Sequence, residues 1–220
     1  IGVVMHPIAD LDAVPSRPAE DTSSELAQLD DAVEAVRNDI RGLIEGLQAS
    51  LPQEELALFD AYLHMLDDGA LAGDIREEIR RGEWAQGALR KVIRQHTRRF
   101  EVMDDPYLRE RGTDVKDLGV RVLAYMQRIR EQRTQFPDSS ILVGEEITPA
   151  MLGAIPAEQL GGVVSVGGSG NSHVAILARA MGVPAVMGAL DLPTYELEGA
   201  SLIVDGHYGD VYTRPSAERL

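Results

Sequence analysis

The 220-residue chain contains no cysteine, which excludes disulfide staples and thiolate metal sites and suits a reducing compartment. Basic residues are in deficit: 21 Lys and Arg against 36 Asp and Glu leave a formal charge of −15. That charge repels a nucleic-acid backbone and favours a partner with a basic face. No apolar run reaches the length of about eighteen residues that a membrane span needs, and no basic segment leads into an apolar one as in a signal peptide. These absences predict a cytoplasmic protein that binds neither nucleic acid nor membrane. Aromatic residues make up only 5% of the chain. The one basic stripe, Arg90, Arg94 and Arg98, has no aromatic platform beside it and reads as a solvated face neutralised by acidic neighbours. What the chain does have is 44% hydrophobic residues, ordinary for a globular core.

The apolar pattern changes period twice. "IGVVMHPIAD" reads as a short buried strand, followed by a proline-broken connection. From Leu26, apolar residues then fall at Leu29, Val33, Val36, Ile40, Leu43 and Leu47, one face of a long helix with Ser23 or Ser24 as its N-cap. A second helix is expected from Ser50, with Pro52 in its first turn and Leu56, Phe59, Leu63 and Leu66 on its apolar face. A short helix to about Arg81 and another from Trp84 to about Met103 follow, and Asp105-Pro106 opens a last helix through Leu118, Val122 and Met126. After Phe136-Pro137 the segments "ILVG", "GGVVSVGG", "VPAVMG", "SLIVDG" and "DVYT" read as strands, with a helix from about Ser172 to Ala180. A lone N-terminal strand needs a sheet, so it is expected to pair with this C-terminal one. The predicted layout is an α/β domain of residues 1–20 and 137–220 with an all-α helical bundle, residues 21–136, inserted into it.

The stretch "SVGGSGNSHVAILARAMGVPAVMG" raises the functional question. Gly167, Gly168 and Gly170 allow a tight turn and close approach of a ligand, and Asn171 or Ser172 caps the helix that follows. His173 then falls in the first turn, where unpaired N–H groups and the helix dipole favour an anion. The loop is neither a Walker loop, which needs a Lys-Ser/Thr pair after its last glycine, nor a dinucleotide fingerprint. Imidazole, with a reference pKa of about 6.5, keeps one nitrogen nucleophilic at neutral pH. The residues alone leave two readings standing: a phosphate-carrying or catalytic histidine, and a capping or packing one. His6, His96 and His207 show no convergent carboxylate or second histidine at ligand spacing, and no metal site is expected. Asp104 and Asp105 read as capping residues before Pro106.

"GGSGNSHVAILARAMGVPAVMG" resembles the phosphohistidine signature of the phosphoenolpyruvate-utilising enzymes. "DDPYLRERGTDVKDLGVRVL" resembles the helical region of enzyme I of the phosphotransferase system, and "EEITPAML" its segment carrying a threonine beside the active histidine. The variant "GSGNSHVAILARA" is most similar to the nitrogen-related, PtsP-type branch. The resemblance implies an α/β phosphohistidine (swivelling) domain with the helical subdomain as docking surface for an HPr-type phosphocarrier of the nitrogen branch. It implies that His173 accepts the phosphoryl group on Nε2, that Thr148 bonds the other ring nitrogen, and that Arg179 supports the phosphate or the local fold. Leu63, Met65, Tyr107, Leu108 and Arg111 match positions in or near the carrier surface, with Glu54 and Glu55 available to basic residues of the carrier. Tyr62 stands where many relatives have histidine, and His64 does not inherit that role.

The resemblance further implies that phosphoenolpyruvate and Mg²⁺ bind in a C-terminal β/α barrel beyond this chain, which itself needs no cofactor, and that a sensory domain belongs ahead of Ile1. Hinges are expected near residues 20 and 137, since one histidine must visit two sites. Two rivals to this reading are the central histidine domain of a dikinase and a non-catalytic interaction module.

Overall fold

A computed structural model describes residues 1–4, 9–49, 51–128, 136–170 and 172–215, with the backbone alone at 106–108, 110 and 195. His6, Ser50 and Asn171, all part of the sequence reading, lie outside the described residues. The elements in chain order are β1 (Gly2–Val4), α1 (Thr22–Leu47), α2 (Gln53–Met65), α3 (Leu71–Arg80), α4 (Ala85–Glu101), α5 (Pro106–Met126), β2 (Ser140–Gly144), α6 (Pro149–Gly153), β3 (Leu160–Ser165), α7 (His173–Ala180), β4 (Ala185–Met187), β5 (Leu202–Asp205) and β6 (Asp210–Thr213). The chain divides into two compact units, Ile1–His6, Gly46–Leu56 and Arg133–Leu220 in one, Pro7–Glu45 and Ala57–Gln132 in the other.

The first unit is built on a four-stranded sheet in the order β1-β2-β3-β4, parallel throughout. β1 pairs with β2 although five helices separate them in sequence, Gly2 lying opposite Ile141. Every residue of β2 is buried, as expected of a parallel strand covered on both faces. Alternation puts Ile141, Val143 and Val164 in one cluster with Leu197 and Leu202. Leu142 and Val163 point the other way and are equally buried. The outer edge of β1 does not stay open: its backbone bonds Gly199 and Ala200, and Glu198 accepts the N–H of Val4 at 2.6 Å. β5 and β6 form a separate antiparallel pair rather than extending the sheet, which the strand pattern alone did not distinguish.

The second unit is helical. Its core holds Leu29, Val36, Ile40, Phe59, Tyr62, Ile79, Leu89, Leu118 and Leu123. The stripe read for α1 is buried from Leu29 to Ile40, whereas α2 is turned so that Leu58 and Tyr62 join Phe59 and Leu66 inside and Leu56 and Leu63 are left half-buried. Three boundaries differ. α2 begins at Gln53, not at Ser50, so Pro52 stands just ahead of the first turn, where its carbonyl accepts the N–H groups of Glu55 and Leu56. α1 begins at Thr22 and is capped by Asp21, whose Oδ1 accepts the N–H of Ser23 at 3.0 Å and whose carbonyl accepts that of Glu25; neither Ser23 nor Ser24 is the cap. The proline-broken segment before residue 20, expected with the α/β part, packs on the helices instead. Val14 is buried, Trp84 donates to the carbonyl of Pro15 at 3.0 Å, and Arg17 stacks over the Trp84 ring at 3.8 Å. Two arginines of the basic stripe hold the same segment: Arg94 bonds Asp12 at 2.9 Å and Arg90 the carbonyl of Val14. Their charge is spent within the fold.

Candidate functional site

Parallel pairing aligns the carboxyl ends of β2, β3 and β4, with Gly144 opposite Ser165 and Ser165 opposite Met187. In open parallel sheets this edge is where ligands bind, because each strand there releases a loop into the start of a helix. Three segments meet at it: residues 145–148 leading into α6, the glycine loop leading into α7, and Gly188 after β4. Helices α6 and α7 are themselves in contact.

His173 is the first residue of α7 and is partly exposed. Ser172 is the N-cap, its side chain accepting the N–H of Ala175 at 3.3 Å, and its own N–H is held by the carbonyl of Ser169 at 3.0 Å. The three glycines do different things. Gly168 has φ +82°, a left-handed conformation, and an added Cβ would lie 3.0 Å from Cε of Met187. Gly167 donates to the carbonyl of Glu145 at 2.7 Å, so close that a Cβ would meet that oxygen at 3.1 Å. Gly170 has open space around it and is required by neither conformation nor contact; its carbonyl accepts from Nη2 of Arg179 at 3.3 Å. Arg179 thus braces the loop from two turns along the helix. Asn171 lies outside the described residues.

Thr148 is buried and is the N-cap of α6, its Oγ1 accepting the N–H of Met151 at 3.3 Å. A threonine hydroxyl has two acceptor positions and one donor, so this bond leaves it with further capacity. Sequence reasoning missed Ser165, which is 1% exposed at the end of β3. Its hydroxyl lies 3.4 Å from both the carbonyl of Glu145 and the N–H of Ile147, tying the glycine strand to the segment that carries Thr148. The available signal was a lone hydroxyl inside the apolar run "GGVVSVGG".

The residues expected at the carrier surface occupy both units. Glu54 and Glu55 fall in the first turn of α2, Glu54 exposed and Glu55 half-buried. Leu63 and Met65 are half-buried further along α2. Arg111, on α5, reaches Oδ2 of Asp114 at 3.3 Å; Tyr107 and Leu108 are on the same helix, their side chains outside those described. Tyr62 is 2% exposed and donates to Oδ1 of Asp114 at 2.6 Å. Burial first, then the charge and hydrogen bond of Asp114, push its phenol far above the ordinary tyrosine range. His96, which the sequence leaves without a carboxylate, has one in space: its Nε2 lies 2.7 Å from Oδ2 of Asp74, across α3 and α4. His207 is exposed and packs edge-on against Tyr208. Among the described residues no group of three or more His, Asp or Glu is arranged to hold a metal ion, and no helix is long and apolar enough to cross a membrane.

The fold and the histidine loop agree with two family models. Residues 1–111 match that of the PEP-utilising enzyme, N-terminal, and residues 136–209 that of the PEP-utilising enzyme, mobile domain. The chain belongs to the phosphoenolpyruvate-utilising enzymes. It is 35% identical over 195 residues to a Salmonella typhimurium protein named phosphoenolpyruvate-dependent phosphotransferase system, covering 89% of this chain and 26% of that protein. It is 32% identical over 213 residues to the phosphoenolpyruvate-protein phosphotransferase of Staphylococcus epidermidis, covering 96% of this chain and 37% of that protein. The chain therefore spans well under half the length of these relatives. Among solved structures it is similar to the N-terminal domain of Enzyme 1 - Nitrogen, with a TM-score of 0.66 and 31% identity over 99% of this chain and 90% of the other. It is also similar to the solution structure of an Enzyme I protein, with a TM-score of 0.72 and 26% identity over 94% of this chain and 85% of the other.

Proposed function

We propose that this chain is the N-terminal phosphotransfer part of a nitrogen-branch enzyme I, a phosphoenolpyruvate-protein phosphotransferase, in which His173 takes up a phosphoryl group and exchanges it with an HPr-type histidine carrier. The observation that carries this reading is the position of His173: first residue of a capped helix, behind a glycine turn, at the carboxyl edge of a parallel sheet. The similarity to the N-terminal domain of Enzyme 1 - Nitrogen supports the branch. On this reading the α/β unit is a swivelling phosphohistidine domain, the helices between β1 and β2 are the carrier-binding subdomain, and the protein works in the cytoplasm. Phosphoenolpyruvate and Mg²⁺ belong to a C-terminal barrel of the longer protein.

The chemistry follows from the imidazole. For Nε2 to attack phosphorus, the ring proton must sit on Nδ1, and Thr148 Oγ1 holds it there by accepting Nδ1–H alongside the N–H of Met151. The carrier's P–N bond breaks as the bond from phosphorus to Nε2 forms. Both imidazoles keep their remaining N–H, so no proton changes hands. Because one phosphoramidate replaces another, the barrier is lowered mainly by in-line positioning and by charge support from loop N–H groups and the positive end of α7. Arg179 holds the loop through Gly170.

The branch is tested by offering the chain two phosphorylated carriers, one from the nitrogen branch and one from the sugar-transport branch. Transfer at least about tenfold faster from the nitrogen-branch carrier, a specificity difference of about 1.4 kcal/mol, is the expected result. Equal rates, or a preference for the sugar-transport carrier, remove the branch assignment and leave enzyme I activity standing.

A further inference from the structure

Ser165 bonds all three segments that meet at the carboxyl edge of the sheet. It is the polar end of a strand otherwise built from leucine, glycine and valine, and it is 1% exposed. The pairing of β2 with β3 ends at Gly144 opposite Ser165, and past that point the two chains are free to part. They stay together. The N–H of Val166 donates to the carbonyl of Gly144 at 3.0 Å, and that of Gly167 to the carbonyl of Glu145 at 2.7 Å. The Ser165 hydroxyl donates to the same Glu145 carbonyl and accepts the N–H of Ile147, each at 3.4 Å. Its backbone carbonyl accepts the N–H of Ala189, beyond β4, at 3.0 Å. Ile147 is 6% exposed, so its N–H needs an acceptor inside the fold, and the residue after it is Thr148. Two bonds thus set the Thr148 hydroxyl: Ser165 holds the backbone just before it, and the N–H of Met151 holds its oxygen at 3.3 Å.

We propose that Ser165 is a positioning residue for phosphoryl uptake at His173: its hydroxyl fixes residues 145–148 against the glycine loop, and so fixes where Thr148 Oγ1 stands to accept Nδ1–H of the ring. The inference rests on the role given to Thr148 above. A hydrogen bond weakens steeply once its angle and distance drift, and the tautomer with its proton on Nε2 has no lone pair there to attack phosphorus. Misplacing a catalytic contact by about 1 Å costs up to roughly a hundredfold in rate. Loss of one long hydrogen bond behind Thr148 shifts the segment by less, and a tenfold effect follows. Ser165 itself touches neither the ring nor the phosphoryl group in this scheme.

Two readouts on the whole chain test this. Nitrogen-15 spectra of the His173 ring give the Nδ1–H tautomer population with no carrier present. Single-turnover transfer from an HPr-type carrier phosphorylated on its histidine gives a limiting rate and a half-saturating concentration. Ser165→Ala is expected to lower the tautomer population and to slow the limiting rate about tenfold, with half-saturation within about twofold. Ser165→Thr, which keeps the hydroxyl, is expected to restore the tautomer and to bring the rate within about threefold of the parent. Ser165→Cys keeps the volume with a weaker donor and acceptor; it should behave as the alanine variant does, and it decides the matter should that variant unfold. Added to Thr148→Val, Ser165→Ala is expected to change the rate by no more than about twofold, because Ser165 acts through Thr148. A serine that served stability alone would lower the urea midpoint and leave the tautomer as it was. The parent tautomer in both Ser165→Ala and Ser165→Cys, or effects that multiply in the double variant, overturn the proposal, while a slow Thr148→Val keeps the role of Thr148 standing. Parent tautomer and rate in Thr148→Val overturn that role and this inference with it. A folded parent chain that takes no phosphate from the carrier overturns the carrier reading as a whole.

Discussion

Ser172 and Ala175 close the first turn of the helix that begins at His173, the serine oxygen accepting the alanine N–H at 3.3 Å. The residue beside the histidine is therefore committed to the helix end. Ser172→Ala is expected to cost about 1 kcal/mol of stability, read as a lower urea midpoint. Ser172→Asp keeps a capping oxygen and much of that stability, but places a negative charge beside an incoming phosphoryl group. The aspartate variant should fold like the parent and accept phosphate more slowly; equal rates would mean that the phosphoryl group does not come to this end of the helix.

The glycines of the loop are not equivalent. Gly168→Ala forces an L-residue into φ +82° and towards Met187, and is expected to lower stability by roughly 1–2 kcal/mol and to slow transfer. Gly170→Ala, with nothing within 4 Å, should be nearly silent in both measurements. Thermal unfolding and transfer rates of the two variants side by side check the ranking, and a more harmful Gly170→Ala would contradict it.

Tyr62 makes the stability of the helical unit sensitive to alkali. Its folded-state pKa is raised above the ordinary 10.0 by burial and by Asp114. The unfolded chain therefore releases this proton as the pH climbs past 10.0 while the folded chain keeps it, so stability present below that value is lost above it. Tyr62→Phe removes this pH dependence, at a cost of about 1–3 kcal/mol at neutral pH because Asp114 stays buried without its phenolic donor. Urea midpoints at pH 7 and pH 10.5 for both proteins check the sign: the parent should lose more than the variant on going to the higher pH.

Thr148 acts on the tautomer of His173 in the proposed mechanism. Thr148→Val is expected to slow transfer by about tenfold to a hundredfold and Thr148→Ser to restore most of it, since serine retains both the N-cap of α6 and the acceptor for Nδ1–H. Nitrogen-15 spectra of the His173 ring report the population of the Nδ1–H tautomer independently of rate. That population should fall in Thr148→Val; an unchanged tautomer would remove Thr148 from the mechanism.

Local signals carried most of the fold. Asp105-Pro106 is a start signal that works within one turn, and α5 does begin at Pro106. The steps of three and four from Leu29 to Ile40 record which face of α1 is buried. Even the pairing of β1 with the C-terminal sheet was legible, because a lone strand needs a partner to satisfy its backbone, although which strand it joins was not. Asp21 was missed as a cap because Ser23 and Ser24 are equally good capping residues at neighbouring positions. The pair Tyr62–Asp114 was out of reach for a different reason: 52 residues separate its members, and an aspartate between apolar positions of α5 reads as a solvent-facing residue. His96–Asp74 is another such pair, invisible until α3 and α4 are packed together. At the candidate site the sequence displayed the loop and the histidine, while Ser165, which joins two strand ends through its hydroxyl, became evident only once β2 and β3 were in register.

The central claim is that His173 carries phosphate, and intact mass after incubation with a phosphorylated HPr-type carrier tests it most directly. The parent chain should gain the mass of one phosphoryl group, lost again on brief exposure to acid as a phosphoramidate must be, and folded His173→Ala should gain nothing. An equal gain in the His173→Ala variant, or no gain in a folded parent chain, would contradict the account.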